Sequence, residues 1–266
     1  MYDHNTSPKR KSFCFSSLVA LKFPALIILF IFLATAHFSC TKEGKGLAVS
    51  TGKGGSLARF TIVGHHLYMV DRSQLKVFDI SAAKPVLKSN TEIGFAIETI
   101  FPFRDKLFIG SETEVHIFSI DDPAHPKKLS SAISPTVMRR CDPVVAKDSV
   151  AYATLRTNGP CGGIQSILAV YDISNIEKPV EVNREFISEP YGLGYADSAL
   201  YVCNVNSLLV FNIAQPFEPK RVTEITGEKY IDVIAASNTL ICWTARGVVL
   251  FDITDRLNPQ LITKIS

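Results

Sequence analysis

The residues of this chain best placed to do chemistry recur at one position of a repeated segment. Five short apolar runs align: ARFTIV from Ala58, IETIFP from Ile97, CDPVVA from Cys141, YGLGYA from Tyr191 and IDVIAA from Ile231. Their second position holds Arg59, Glu98, Asp142, Gly192 and Asp232. Four of the five are charged, which the packing of an apolar strand does not select. Three carboxylates against one guanidinium leave an excess of negative charge, suited to a cation, a metal or a polyhydroxylated ligand. A plainer reading stands beside it: Arg59 neutralises one or two of the acids and the ring is a hydrated polar plug. Tyr191 offers a ring on which a ligand can stack, and Arg139, Arg140, Arg156 and Arg246 approach the same end. A pocket with perturbed acids is the usual mark of a site. The candidate ligand site is therefore Arg59, Glu98, Asp142, Tyr191, Asp232, Arg156 and Arg246. No catalytic residue is assigned and no cofactor is expected; whether a metal binds stays open.

These positions matter only if separate segments bring them together, and the repeat supplies the means. Five stretches match one another: LKVFDISAAKPVL from Leu75, VHIFSIDDPAHPKKL from Val115, LAVYDISNIEKPVEV from Leu168, LLVFNIAQPFEPKRV from Leu208 and VVLFDITDRLNPQLI from Val248. Their shared isoleucines, Ile80, Ile120, Ile173, Ile213 and Ile253, are spaced 40, 53, 40 and 40 residues apart. Each unit reads as four short strands separated by turn residues; in the first these are 58–63, 67–71, 75–81 and 85–93. The third strand is apolar on both faces, as in LAVY, LLVF and VVLF, which marks a strand sandwiched between neighbours. A four-stranded unit of about 40 residues that cannot cover its own faces is the blade of a β-propeller. The expected fold is all-β: a propeller of five four-stranded blades over 57–266, after an N-terminal signal or anchor segment. Closure needs GLAVS (46–50) as an added strand, or simple edge packing of blade five on blade one. The polar residue that recurs at Asp79, Ser119, Asp172, Asn212 and Asp252 lies beside a turn and reads as a local backbone acceptor.

The pattern V-F-D-I-S-x-x-x-x-P resembles the LVIVD repeat of exported bacterial proteins, over roughly residues 56–266. GKGGSLARF, IETIF and CDPVV are similar to one lipoprotein branch of that family. The resemblance implies a propeller held at the cell surface or in the periplasm, with no established catalytic activity. VHIFSI and VFNIA depart from the usual Asp.

The spacing of 53 places an insertion in the third repeat, at TLRTNGPCGGIQS (154–166), between its second and third strands. That loop belongs to the same propeller face as the charged ring, and variable loops on a rigid scaffold are where binding concentrates. Cys161 lies in it and Cys141 opens the innermost strand of the same blade. The expected pairing is a disulfide worth about 3 kcal/mol in the chain-entropy picture; two buried thiols are the alternative. Cys203 and Cys242, in LYVC and LICW, are offset by one position, hence on opposite strand faces, and read as small core residues. His65 and His66 sit in a turn on the other propeller face. No spacing for zinc, no serine-nucleophile elbow and no phosphate loop occurs; GKGG (52–55) has no helix after it.

Residues 1–39 read as an export signal. Lys9, Arg10, Lys11 and Lys22 precede FPALIILFIFLATAHFS, and Cys40 resembles the acceptor cysteine of a bacterial lipoprotein. An ordinary secretory signal cut nearby is the alternative; the apolar run is short of the ~20 residues of a spanning helix. Residues 40–56 then form a flexible tether. The signal carries the whole formal charge of +3, so the rest of the chain is formally neutral and lacks the basic footprint of nucleic-acid binding. The functional expectation is an outer-membrane or surface lipoprotein, a periplasmic position being the variant. It serves as a binding or scaffold module for a protein or glycan and touches the membrane through its lipid. The second reading is a glycan-acting hydrolase or lyase using channel carboxylates.

Overall fold

The computed structural model describes residues 54–111, 114–133, 143–156 and 166–266, and among these there is no helix. Repeat 1 comprises β1 (Phe60–Val63), β2 (His66–Asp79) and the first half of β3 (Val86–Phe103). Repeat 2 takes the second half of β3, then β4 (Lys106–Ser111), β5 (Glu114–Ser119) and β6 (Lys127–Ile133). Repeat 3 is β7 (Val144–Lys147), β8 (Val150–Leu155), β9 (Ser166–Asp172) and β10 (Val180–Ile187). Repeat 4 is β11 (Pro190–Ala196), β12 (Ala199–Asn204), β13 (Ser207–Asn212) and β14 (Lys220–Thr226). Repeat 5 is β15 (Tyr230–Ala236), β16 (Thr239–Thr244), β17 (Gly247–Asp252) and β18 (Gln260–Ile265).

The five repeats are carried by four hydrogen-bonded sheets, because repeats 1 and 2 share one of six strands. The strand breaks within it are present: β2 turns at Arg72 (φ 47°), and β3 bends at Gly94 (φ 138°) and Ala96 (φ 52°). A bridge from Arg72 to Ile97 joins the two halves across those bends. One bond shows that the five units are nevertheless equivalent. Each shared isoleucine donates its N–H to a carbonyl of the first hairpin turn of its own repeat: Ile80 to His65, Ile120 to Asp105, Ile173 to Ser149, Ile213 to Ser198 and Ile253 to Asn238, all at 2.7–2.9 Å. The residue before that carbonyl is left-handed every time, at Gly64, Arg104, Asp148, Asp197 and Ser237 (φ 49–61°).

The recurrent polar residue does what its place beside a turn implies. Asp79, Asp172, Asn212 and Asp252 accept the N–H of Ser81, Ser174, Ala214 and Thr254 at 2.7–2.9 Å, and the Ser119 hydroxyl accepts that of Asp121 at 3.1 Å. Bonds from Ser81, Ser174 and Thr254 hold the three carboxyls below the usual carboxylate range. These residues close turns and take no part in the site.

Neighbouring blades bury each other. Separate apolar cores lie between repeats 1 and 2 (Tyr68, Leu75, Ile100, Phe118) and between 2 and 3 (Phe108, Ile117, Ala153, Ile167). Two more lie between 3 and 4 (Tyr152, Leu168, Leu200, Phe211) and between 4 and 5 (Tyr201, Val210, Val249, Phe251). The middle strands β8 and β12 are buried at every residue, on both faces. Polar latches repeat with the cores. The Tyr68, Tyr152 and Tyr201 hydroxyls donate to the carbonyls of Pro123, Pro216 and Arg256 in the next blade, at 2.7–2.9 Å. On the outermost strands Ser89, Ser130, Asn183 and Thr223 reach the carbonyls of Ala124, Ile176, Phe217 and Leu257.

Among the described residues this series stops at repeat 5. No fifth apolar core joins it to repeat 1, and the places of the latching groups are filled by Ile241 and an exposed Thr263. The free face of repeat 5 leaves Trp243 56% exposed, and that of repeat 1 leaves Phe60 58% exposed. The expected packing of blade five on blade one is therefore not formed by the described residues, which leave a seam there. GLAVS (46–50) lies outside them.

Cys203 and Cys242 do occupy opposite strand faces, with a consequence that only neighbouring blades create. Both enter the same core between repeats 4 and 5, each pointing from its own blade at the other, and both are fully buried thiols. Burial pushes both pKa values up, so neither is poised as a nucleophile.

Candidate functional site

The innermost strands do gather round an axis. A cavity of about 190 Å³ is lined by Phe101 and Pro102 of repeat 2, Val145 of repeat 3, Leu193–Tyr195 of repeat 4 and Val233–Ala235 of repeat 5. Gly54 and Ser56 also border it, so the packed chain begins at least as early as Gly54, inside the stretch expected to be tether. Ser56 is 1% exposed; its hydroxyl accepts the Leu193 N–H at 2.7 Å and donates to Asp232 Oδ1 at 3.3 Å. The Leu57 N–H reaches Asp232 Oδ2 at 3.3 Å, and the Val233 N–H reaches Oδ1 at 2.9 Å.

Asp232 is thus a structural acceptor at the channel mouth. Both oxygens are engaged, and the carboxylate is gripped by two glycines: a Cβ added at Gly55 would overlap Oδ2, and one added at Gly192 would overlap Oδ1 and lie 2.9 Å from the Asp232 Cα. Desolvation raises its pKa, opposed by the bonds from Val233, Leu57 and Ser56. The linkage sign follows. An acid whose folded pKa exceeds its unfolded value of ~3.9 stabilises the fold most when protonated, so that contribution is lost as pH rises from ~3.9 through the raised pKa. Relative to Asp232→Asn, the wild-type protein should gain thermal stability as pH falls through that window. A difference independent of pH between 3.5 and 7 would count against the engaged, desolvated carboxylate.

The rest of the expected ring is less gathered. Arg59 is exposed and donates to the Ile97 carbonyl at 3.1 Å, with no carboxylate partner among the described residues. Glu98 is half-buried, with no hydrogen bond among them. Asp142, Arg139, Arg140, Cys141, Cys161 and Cys40 lie outside the described residues. Nor do the described residues contain a group of three or more metal-ligating side chains.

A different cluster occupies the mouth of repeats 3, 4 and 5. Arg156, where β8 ends, lies over the Tyr191 ring, its Cζ 4.3 Å from the centroid. The Lys229 Nζ, one residue before β15, is 5.6 Å from the same centroid. Tyr191 is held in place by its carbonyl, which accepts the Thr154 hydroxyl at 2.8 Å. Neither Arg156 nor Lys229 pairs with a carboxylate among the described residues. Beside Lys229 opens a cleft of about 510 Å³ lined by Asn206, Gly227, Glu228, Lys229, Ala245 and Arg246. Arg246 is committed there to Glu228, with Nε at 3.1 Å, and Lys264 reaches the same carboxylate at 2.8 Å. Glu228 is 8% exposed, and the bonds from Lys264 and Arg246 lower its pKa. Four cations, Arg156, Lys229, Arg246 and Lys264, thus gather here with the buried Glu228 as the acid that two of them bind.

The opposite propeller face carries ion pairs between blades, in its turns: Arg104 with Asp148 at 3.4 Å and Arg256 with Asp197 at 2.7 Å. His65 sits exposed in a turn on that face.

No protein-family profile matches the chain, and no curated protein matches it. Solved structures do. The periplasmic gluconolactonase PpgL of Pseudomonas aeruginosa superposes with a TM-score of 0.59 at 12% identity, over 76% of this chain and 67% of that one. A protein of unknown function from Desulfotomaculum acetoxidans gives 0.60 at 10% identity, over 81% and 68%. BamB of Moraxella catarrhalis gives 0.52 at 9% identity, over 71% and 56%. The fold is a β-propeller. The likeness is one of fold alone, and the chain spans about two thirds of the first two structures and little more than half of BamB.

Lys229 and Ser56 escaped the sequence reading for different reasons. Ser56 lies in a Gly/Ser-rich run with the composition of a linker, and Lys229 stands two places before the aligned strand, where the other repeats hold Ser56, Phe95, Arg139 and Glu189 and share no residue type.

Proposed function

We propose that this chain is an exported, lipid-anchored propeller of the LVIVD-repeat type that acts as a binding module through its channel-mouth face. The observation that carries this reading is the cluster at the mouth face: Arg156 and Lys229 both lie over the Tyr191 ring, and neither pairs with a carboxylate among the described residues. A rigid scaffold with cations left unneutralised at one end is prepared for a partner. In sequence the insertion of repeat 3 follows directly on Arg156, where β8 ends. Likeness to a periplasmic enzyme and to BamB supports a location outside the cytoplasm, and Cys40 would supply the anchor. A hydrolase or lyase would need two free carboxylates facing each other; Asp232, whose oxygens are already engaged, is poorly suited to that role.

The test is a thermal-shift screen of the chain from Cys40 onward against glycans and extracellular peptides. Hits should disappear when 157–165 is replaced by a short glycine linker and persist in Arg104→Ala on the turn face. Hits lost in Arg104→Ala but kept in the loop variant would overturn the reading. Loss of membrane association in Cys40→Ser would confirm the anchor, and its retention would refute it.

A further inference from the structure

Resting on that reading of the mouth face, we infer that its ligand is an acidic glycan, recognised through its sugar carboxylates by Arg156 and Lys229 at the Tyr191 ring. A guanidinium stacked on an aromatic ring is held flat, and its N–H edge stays free to take a carboxylate in a two-pronged bond. Stacking so fixes Arg156, with its Cζ 4.3 Å above Tyr191, before any ligand arrives. Less ordering is then needed on binding. Lys229 adds a second, more mobile charge at 5.6 Å from the same ring and leads into the neighbouring cleft.

That cleft decides between kinds of ligand. Its walls are Asn206, Gly227, Glu228, Lys229, Ala245 and Arg246, with Ala245 the one apolar side chain among them. A peptide docking there would find no apolar pocket for an anchor. A chain of sugars bearing carboxylates would find cations, an amide and exposed backbone. The cleft's own acid, Glu228, is spent on Arg246 and Lys264 and does not repel an incoming carboxylate at full strength.

The experiment is calorimetric titration of the chain from Cys40 onward with tetragalacturonate and with its fully methyl-esterified form, which keeps the sugar chain and removes the charge. Tetragalacturonate should bind, more weakly as salt rises, and the ester should not. Arg156→Ala should weaken binding about tenfold, roughly one charge-assisted hydrogen bond, with Arg156→Lys falling between it and wild type. Lys229→Ala should add to that loss. Equal binding of acid and ester, no binding of either, or wild-type affinity in the Arg156→Ala, Lys229→Ala double variant would overturn the carboxylate assignment. Tighter binding of hexa-aspartate than of tetragalacturonate would overturn the glycan assignment. Failure here, with loop-dependent hits persisting in the thermal-shift screen, would leave the mouth face as the binding surface and reject only the acidic ligand.

Discussion

Tyr152→Ala is expected to cost about 3–5 kcal/mol, the range for removing a large buried aromatic side chain. Tyr152 is fully buried in the core between repeats 3 and 4, and its hydroxyl donates to the Pro216 carbonyl of the next blade at 2.7 Å. The substitution therefore removes a latch and opens a cavity in one step. Against a total of about 5–15 kcal/mol for a folded domain, that is a large share. Tyr152→Phe separates the two contributions. It keeps the ring and leaves the Pro216 carbonyl unpaired, for a loss of about 1 kcal/mol. Ile241→Ala, at the equivalent position of repeat 5, should cost far less, because that side chain faces the seam and is only half-buried. Chemical denaturation of the three variants checks the order. Equal losses at Tyr152 and Ile241 would mean that repeat 5 is covered like the others.

Gly192→Ala should lose about 1–3 kcal/mol through overpacking. The added methyl would overlap Asp232 Oδ1 and sit 2.9 Å from the Asp232 Cα, so both a side chain and a backbone must move. Gly55→Ala meets only the carboxylate. The two variants should therefore respond differently to a second change. Asp232→Ala should rescue most of the loss at Gly55 and only part of it at Gly192, a difference that a double-mutant cycle in thermal denaturation reads directly. Full rescue of both, or of neither, would mean that Asp232 is not clamped between the leading segment and repeat 4.

Much of this architecture was legible because it is periodic. An isoleucine every 40 residues, a polar residue one place before it and a proline after it demand a unit that neighbours must cover. The turn bonds at Asp79, Ser119, Asp172, Asn212 and Asp252 follow from that local chemistry, and so do the doubly buried strands. The offset of Cys203 and Cys242 was readable as opposite faces; that they share one core needed the knowledge of which blade each face meets. What lies outside the period was harder to see. Aligned charges suggested a ring of acids around Arg59. Asp232 instead binds Ser56 and Leu57, and Arg59 takes a backbone carbonyl, because a strand alignment says nothing about the segment that crosses the axis. Lys229 and the seam between repeats 5 and 1 are single events in the chain, and no repeat announces them. The merging of repeats 1 and 2 into one sheet likewise comes from a single strand, β3, whose first half pairs with β2 and whose second half pairs with β4.

Everything at the mouth depends on the repeats standing round an axis. Spin labels at Lys84, His125, Lys178, Glu218 and Asn258, exposed equivalents one residue before the shared prolines, measure this directly on a background without other accessible thiols. A radial set of five predicts that labels two repeats apart are about 1.6 times as distant as neighbours, and that the first and fourth are no farther apart than the first and third. Distances that keep growing with each repeat, about twofold and then threefold, would describe a linear solenoid and contradict the account.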